Sequence, residues 1–301
     1  MTESEKADLV LLGDRLFDEQ LERVSSSIIA GTPDGTPYRF VTLAGPSCSG
    51  KTTASKKLEL ALEHSGREVH SVSIDDFYFN RDVLQSRTPG VVPDYDSPDT
   101  INVDELSSVI SSIMEQGNGE VDFPTFDFLV GSRVESRHTE YTENDIFIFE
   151  GIQAMYPNVS PLFSGAPTAR IFINVTEGIN CGGKVWEPDN IRLLRRLVRD
   201  FYKRGADPDF TMELWKNVRA NEVEYIYPHA SEADYFINSV MPYELGMLKK
   251  RLEYVLSDAN LDPEHDYFRR IVLDALAEVD PIDESLIGPD SLYNEFINKN
   301  W

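Results

Sequence analysis

The chain has 301 residues, and its formal net charge of -24 excludes the broadly basic surface that nucleic-acid binding requires. No apolar run reaches the roughly 20 residues of a membrane-spanning helix, and the acidic N-terminus is unlike a secretory signal. Two cysteines are too few for a disulfide framework, so we expect a protein of the reducing cytoplasm, without nucleic-acid or membrane partners.

The chain begins with a predicted helix over residues 16–30, where apolar side chains recur near helical spacing. A turn-rich run at residues 31–37 ends it. We expect an N-terminal extension at residues 1–38 packed on a central α/β domain at 39–256, followed by a helical C-terminal extension at 257–301.

A phosphate-binding loop is the strongest motif. Residues 39–44 are apolar and predict a buried strand, and residues 53–64 predict a helix. The sequence between them fits GxxxxGK(S/T) without a mismatch, in the strand–loop–helix context that the motif requires. The predicted nucleotide-binding residues are Gly45, Pro46, Ser47, Cys48, Ser49, Gly50, Lys51, Thr52 and Thr53.

The spacing of this loop follows from phosphate chemistry. Glycines let the backbone curl so that successive N–H groups face phosphate oxygens. Lys51 is placed to reach the β- and γ-phosphates, and the Thr52 hydroxyl is placed to ligate Mg²⁺. We therefore expect ATP and Mg²⁺ as cofactors.

A pair of acids follows the second predicted strand, at residues 69–74. Ligands of open α/β sheets bind beyond the carboxyl ends of the strands, so Asp75 and Asp76 are well placed for chemistry beside the phosphate loop. The residues themselves do not choose between the two acids, and without the phosphate loop a solvated turn would be the better interpretation.

The next region predicts a loop at residues 88–100, a helix at 103–115 and a β-hairpin at 121–135 that turns at Gly131. The aromatic residues of the hairpin, Phe126 and Phe128 among them, are either core or the wall of a small-molecule pocket.

A strand at residues 146–149 ends in Glu150, a candidate ligand of the metal shell. Further strands are predicted at 169–175 and 235–238, with helices at 243–256 and 267–278. Alternating strands and helices favour a parallel sheet covered on both faces. The Pro-rich acidic tail that follows carries no functional signal.

A basic helix is predicted from residue 192 to Gly205, which is suited to end it. At about 100° per residue its cations share one stripe, opposite its leucines. Such stripes are usually solvated faces, but in this acidic chain we expect a lid whose arginines close over transferring phosphates. The stripe comprises Arg192, Arg195, Arg196, Arg199 and Lys203.

The reaction class follows from what accompanies the loop. The guanine-binding element of GTPases and the signature of transporter ATPases are not found in the sequence. Strand-end acids with a basic helix favour a small-molecule kinase, in which one carboxylate accepts the proton of an attacking alcohol.

These motifs, together with the run Tyr95-Asp96-Ser97-Pro98-Asp99, occur in an order that resembles the uridine kinase and phosphoribulokinase family over about residues 39–255. The resemblance implies a three-layer α/β/α P-loop kinase fold with a mainly parallel five-stranded sheet, a β-hairpin substrate flap and an Arg-rich lid helix. It also implies an ATP-dependent phosphotransferase that acts on the primary hydroxyl of a nucleoside-like acceptor.

The resemblance assigns roles residue by residue. Asp75 matches the catalytic base, and Lys51 acts with it. Tyr78 and Asp96 match the substrate pocket, with Phe126 and Phe128 on the flap. The remaining matches are Thr52 and Glu150 for the metal, Arg192 for catalysis and the acceptor, Arg195 for catalysis and ATP, and Arg199 for ATP.

One departure concerns the acceptor. Uridine-cytidine kinases carry Tyr-Asp-Phe and then a His in the hairpin, whereas this chain has Phe126-Asp127-Phe128 and Gly131. Losing these polar groups removes hydrogen bonds that discriminate a base. The alternatives are a sugar, sugar phosphate or pantothenate-like acceptor in the same fold, or an ATP-binding regulator without turnover. A homo-oligomer is compatible with either.

Overall fold

A parallel β-sheet forms the centre of the computed structural model, which describes residues 1–88, 93–181, 183–257 and 259–297. Within these residues, five parallel strands pair in the order β2-β5-β1-β6-β9. They are β1 (Phe40–Ala44), β2 (Val69–Ser73), β5 (Ile146–Glu150), β6 (Thr168–Asn174) and β9 (Tyr235–Asn238). The predicted sheet is confirmed.

In the part of the chain that the structure describes, two antiparallel hairpins lie outside this sheet. The larger pairs β3 (Gly119–Asp127) with β4 (Ser132–Tyr141), and the smaller pairs β7 (Ile179–Cys181) with β8 (Lys184–Trp186). The larger one is the predicted flap, with Gly131 in its turn, but β4 extends to Tyr141 rather than ending near residue 135.

Helices cover both faces of the sheet. Alternate residues of β1 belong to two different hydrophobic clusters, Val41 and Leu43 to one and Phe40 and Ala44 to the other. The sheet is therefore the middle of three layers. The helices are α1 (Glu3–Ala30), α2 (Lys51–Glu63), α3 (Arg81–Arg87), α4 (Val103–Glu115), α5 (Pro188–Arg204), α6 (Pro208–Asn221), α7 (Glu244–Ser257), α8 (Pro263–Ala277) and α9 (Asn294–Ile297).

The predicted helices lie near their expected positions, and the one at residues 103–115 matches α4 in full, whereas those predicted to begin at residues 16, 192 and 267 begin earlier in the structure. The helix expected at residues 16–30 begins at Glu3, where Thr2 and Glu5 form a capping box. Helices α3 and α6 and the small β7–β8 hairpin were not predicted. The predicted loop at residues 88–100 includes a short 3₁₀ turn at Pro98–Thr100, and its residues 89–92 lie outside the described part of the chain.

Both predicted extensions contribute to the central core. Phe17 from α1, Leu276 from α8 and Phe296 from α9 belong to the same cluster as Leu43 of the sheet. The division at residues 38 and 256 stays a prediction, but these side chains show that the extensions share apolar packing with the sheet.

Helix α1 also bonds to the edge of the sheet. The Gln20 side-chain amide donates to the Asn238 carbonyl at 3.0 Å and accepts from the Asn238 N–H at 2.8 Å. Strand β9 is the outermost strand on that side. Among the described residues, no helix is long and apolar enough to cross a membrane.

The packing of α1 predicts a stability effect. Phe17 is 2% exposed, so Phe17→Ala should lower the free energy of unfolding by about 3–5 kcal/mol through lost burial and a cavity. Leu16, on the same helix, is 47% exposed, so Leu16→Ala should change it by less than about 1 kcal/mol. Urea denaturation measures both, and equal losses would contradict the packing.

Candidate active site

The loop between β1 and α2 has the backbone that its glycines allow. Gly50 adopts the left-handed conformation with φ of 94° immediately before α2. A Cβ on Gly45 would collide with the carbonyl of Ile173 on β6. The Lys51 ammonium donates to the carbonyls of Gly45 at 2.9 Å and Pro46 at 3.0 Å. The loop therefore curls around the Lys51 ammonium group.

Arg192 of α5 bonds to the backbone of this loop. It is fully buried, forms a two-point ion pair with Glu222 at 2.6 and 2.8 Å, and donates to the Ser47 carbonyl at 3.0 Å. Glu222 also accepts from the Ser47 N–H at 3.2 Å. The pair thus contacts both polar groups of the Ser47 backbone.

Arg195 supports the loop in a similar way from the next turn of α5. It is fully buried, pairs with Glu244 of α7, and donates to the Cys48 carbonyl at 3.1 Å. The arginines predicted to close over phosphates, Arg192 and Arg195, are therefore both engaged in internal ion pairs in this structure. Ion pairing of some of these arginines is expected in so acidic a chain, but the sequence does not identify which of them pair, because their carboxylate partners come from distant segments.

Asp75 lies in a short 3₁₀ turn, Ile74–Phe77, at the carboxyl end of β2. Gln153, which is fully buried, donates from Nε2 to Asp75 Oδ1 at 3.0 Å and also contacts the Tyr78 hydroxyl. Asp76 instead accepts the Phe126 N–H at 2.9 Å. The geometry separates the two acids. Asp75 lines a cavity that Lys51 and Thr52 also line, whereas Asp76 bonds to the hairpin.

Glu150 ends β5 in register with Leu43 of β1 and Ser73 of β2, so the three strand ends meet at one edge. Burial, and then repulsion from Asp75, raise the pKa of Glu150 to about 7, against the attraction of Lys51. Because burial and repulsion destabilise the ionised form of Glu150, a nearby cation would stabilise it. With the Thr52 hydroxyl in the same cavity, the oxygen ligands suit Mg²⁺.

Asp96 belongs to the loop across the cavity from α2. Burial raises its pKa to about 6, although Arg196 opposes the shift. The Tyr156 hydroxyl donates to the Asp96 carbonyl at 2.7 Å and so fixes the backbone of this loop. Asp96 therefore lines the cavity from a loop whose backbone is fixed by this hydrogen bond.

An aromatic cluster walls the same end. Tyr78 and Tyr95 meet edge to face with ring centroids 5.0 Å apart, and Phe126 and Phe128 meet at 5.3 Å. Tyr78, Tyr95 and Phe128 line the cavity, whereas Phe126 is buried among them and does not belong to the lining. The predicted pocket wall is thus partly core.

One cavity of about 340 Å³ brings most predicted site residues together. Its cations include Arg196, Arg199 and Arg204 of α5, rather than Arg192 and Arg195. Its lining also includes Ser47, Cys48, Lys51, Thr52, Asp75, Tyr78, Asp96, Phe128, Glu150 and Glu295. No role was predicted for Gln153, Glu222, Glu244 or Glu295, because a single glutamine or glutamate carries no functional signal until its partner in the fold is known.

Residues 40–245 match the model of the Phosphoribulokinase / Uridine kinase family. The chain belongs to this kinase family. The match includes the phosphate loop, Asp75, Glu150, the hairpin and α5, all of which contribute to the cavity lining.

Relatives within this kinase family carry uridine kinase names. Uridine-cytidine kinase A of Dictyostelium discoideum is 27% identical over 74% of this chain and 41% of its own length. The uridine kinase of Aeromonas hydrophila subsp. hydrophila is 26% identical over 72% of this chain and 95% of its own. The solved YGR205w protein superposes with a TM-score of 0.53 at 17% identity, covering 72% of this chain and 89% of that one, and supports the fold alone.

The raised pKa of Glu150 predicts a pH effect on stability. Between about pH 4.5 and pH 7 the unfolded chain loses this proton before the folded chain does, so the wild type loses stability as pH rises. Glu150→Gln removes the titration. The free energy of unfolding of this variant should exceed that of the wild type by about 2 kcal/mol at pH 8, after allowance for partial exposure of the side chain. Near pH 4.5 the two values should be equal.

Urea denaturation without Mg²⁺ at pH 5 and pH 8 measures this difference. Glu63→Gln, at an exposed position of α2, is the matched control and should show no such trend. A Glu150→Gln difference that stays constant between the two pH values would contradict the burial of this carboxyl group.

Proposed function

We propose that this protein transfers the γ-phosphate of ATP to the primary hydroxyl of a nucleoside-like small molecule. The observation that carries the proposal is one cavity lined both by Lys51 and Thr52 and by Asp75. A phosphate loop alone supports nucleotide binding, whereas a carboxylate facing it adds a proton acceptor for an alcohol.

Asp75 is the proposed base. Its orientation is held by the buried Gln153 amide, and its neighbour Tyr78 belongs to the aromatic wall. An alcohol against that wall would present its hydroxyl between Asp75 and the phosphate loop. Proton transfer to Asp75 then accompanies attack of the hydroxyl oxygen on the γ-phosphorus, while the bond from that phosphorus to the β–γ bridging oxygen breaks and ADP leaves.

Thr52 and Glu150 are the proposed metal residues. A bound Mg²⁺ would offset the charge of the phosphate oxygens and the repulsion between Glu150 and Asp75. The hydroxyl of Thr52 and the carboxylate of Glu150 supply the oxygen ligands, and Lys51 supplies the fixed positive charge of the loop.

The arginines divide into two groups in this proposal. Arg196 and Arg199 line the cavity and stabilise charge on the transferring phosphoryl group. Arg192 and Arg195 act as positioning residues, since their guanidinium groups bond to the Ser47 and Cys48 carbonyls of the loop. The resemblance assigned catalytic or ligand-binding roles to Arg192, Arg195 and Arg199, and the contacts favour this division.

The names of the relatives support a nucleoside acceptor, but one observation favours an anionic acceptor as a second candidate. Arg204 lines the cavity and lies 6.0 Å from the Phe128 ring centroid. The positive charge of Arg199, and then burial, lower the pKa of the Arg204 guanidinium. Arg196, Arg199 and Arg204 share the carboxylate of Asp200, so a phosphate or carboxylate on the acceptor, as in a sugar phosphate, would offset the remaining repulsion among them.

A paired substitution tests the base. Asp75→Asn should reduce kcat by at least about a hundredfold and leave ATP affinity near that of the wild type, because only the proton acceptor is lost. Asp76→Asn is the matched control, since its amide oxygen can still accept the Phe126 N–H, and it should keep most of the activity. Near-normal turnover by Asp75→Asn would refute the base.

The acceptor is identified by ADP release with uridine, cytidine, sugars, sugar phosphates and pantothenate. Release confined to the nucleosides supports the first candidate, and release confined to anionic sugars supports the second. Tight ATP binding by calorimetry without release for any acceptor would instead favour a non-catalytic ATP-binding regulator.

Gln153 predicts a positioning effect. Gln153→Leu removes the donor that orients Asp75, so kcat/KM for the acceptor should fall about tenfold, the effect of one charged hydrogen bond, with an unchanged Kd for ATP. A thermal unfolding curve verifies that the variant is folded. An equal loss of ATP affinity would mean that Gln153 supports the fold rather than Asp75.

A further inference from the structure

A carboxylate from a distant segment of the chain bonds to the phosphate loop. Glu295 Oε2 accepts the Thr53 N–H at 3.3 Å and the Thr53 hydroxyl at 3.0 Å. Residues 291–297, which we call the strap, carry this glutamate to the start of α2. The strap lies beyond the matched region of the family model, which ends at residue 245.

The two Thr53 donors belong to the predicted phosphate-binding loop. Thr53 is in the first turn of α2, directly after Lys51 and Thr52, and first-turn N–H groups have no partner within their helix. The positive end of the helix favours an anion at this point. A carboxylate fills the same need as a phosphate oxygen, and two anions cannot share the same pair of donors.

Glu295 also lies near the cations that would attract a phosphate. Glu295 lines the cavity together with Lys51 and Arg199, the cations assigned above to the phosphates. Its charge also acts on Lys203 and on Glu150. Glu295 thus uses hydrogen-bond donors and lies near cations that the proposed function assigns to the nucleotide phosphates.

The backbone of the strap is firmly held. The Lys203 ammonium donates to the Glu295 carbonyl at 2.6 Å and to the Asn294 carbonyl at 3.4 Å. Leu292 and Phe296 are fully buried, and the Phe296 ring centroid lies 5.1 Å from the Arg195 guanidinium carbon. Glu295 itself is partly exposed, so its side chain is able to rotate away while the backbone stays in place.

We propose that Glu295 is an internal competitor of the nucleotide: its carboxylate holds the phosphate-binding donors of Thr53 until a nucleotide phosphate displaces it. The inference rests on nucleotide binding at this loop, as proposed above. It makes the strap a device that weakens nucleotide affinity and keeps the helix terminus bonded after the nucleotide leaves.

Calorimetric titration with ATP and Mg²⁺ tests the competition. Glu295→Gln removes the negative charge, so its neutral amide oxygen competes much more weakly with phosphate for the Thr53 donors. The Kd for ATP should fall about tenfold, the gain expected if the wild-type loop is open about one tenth of the time. Glu295→Asp, one methylene shorter, keeps the charge but should lose the reach to Thr53, and should also bind more tightly. Asp290→Asn, at an exposed position of the same region, is the control for removal of one negative charge.

The outcomes separate the two proposals. Tighter binding by Glu295→Gln and Glu295→Asp, with Asp290→Asn like the wild type, supports the competitor. Unchanged or weaker binding by Glu295→Gln while the wild type binds ATP overturns the competitor and leaves the proposed function intact. An equal gain in Asp290→Asn overturns it too, since the effect would be one of net charge. No binding by any form overturns both.

Discussion

The shape of the phosphate loop depends on two buried guanidinium groups. Arg192 and Arg195 project from one helix to the carbonyls of Ser47 and Cys48, and each is neutralised by a carboxylate. An unpaired buried charge costs several kcal/mol, so such groups are stable only when geometry and hydrogen bonding are nearly complete. The loop backbone supplies some of that bonding. The loop is therefore fixed by α5, by Glu222 after α6 and by Glu244 of α7.

The cavity has one negatively charged side and one positively charged side, although the chain as a whole is strongly acidic. Asp75 and Glu150 lie at the strand ends, whereas Arg196, Arg199 and Arg204 approach from α5. A carboxylate end suits a metal ion, and a guanidinium end suits phosphate oxygens. The net charge of -24 is compatible with the proposed anion binding, because cations of α5 are concentrated at the cavity.

The local features of this site could be predicted from the sequence, because their residues are neighbours along the chain. The loop and the strand-end acids each depend on a few adjacent positions. The pairing of Arg192 with Glu222 spans 30 residues and that of Arg195 with Glu244 spans 49, so periodicity alone placed these arginines on the same stripe as those that line the cavity.

Longer separations were correspondingly harder to anticipate. Gln153 reaches Asp75 across 78 residues, and Glu295 reaches Thr53 across 242. Neither residue belongs to a motif, and its partner is determined only by how strands and helices pack together. The acidic region before Glu295 therefore had no recognisable signal, although its side chain ends at the loop that organises the site.

The bond between Gln20 and Asn238 has a consequence for self-association. An outermost strand normally presents free N–H and C=O groups on which a second chain can add a strand, a common route to aggregation. On β9 the side-chain amide of Gln20 satisfies both backbone groups of Asn238, as a neighbouring strand would. Helix α1 thereby protects the sheet from intermolecular strand addition at this position, in addition to burying apolar surface.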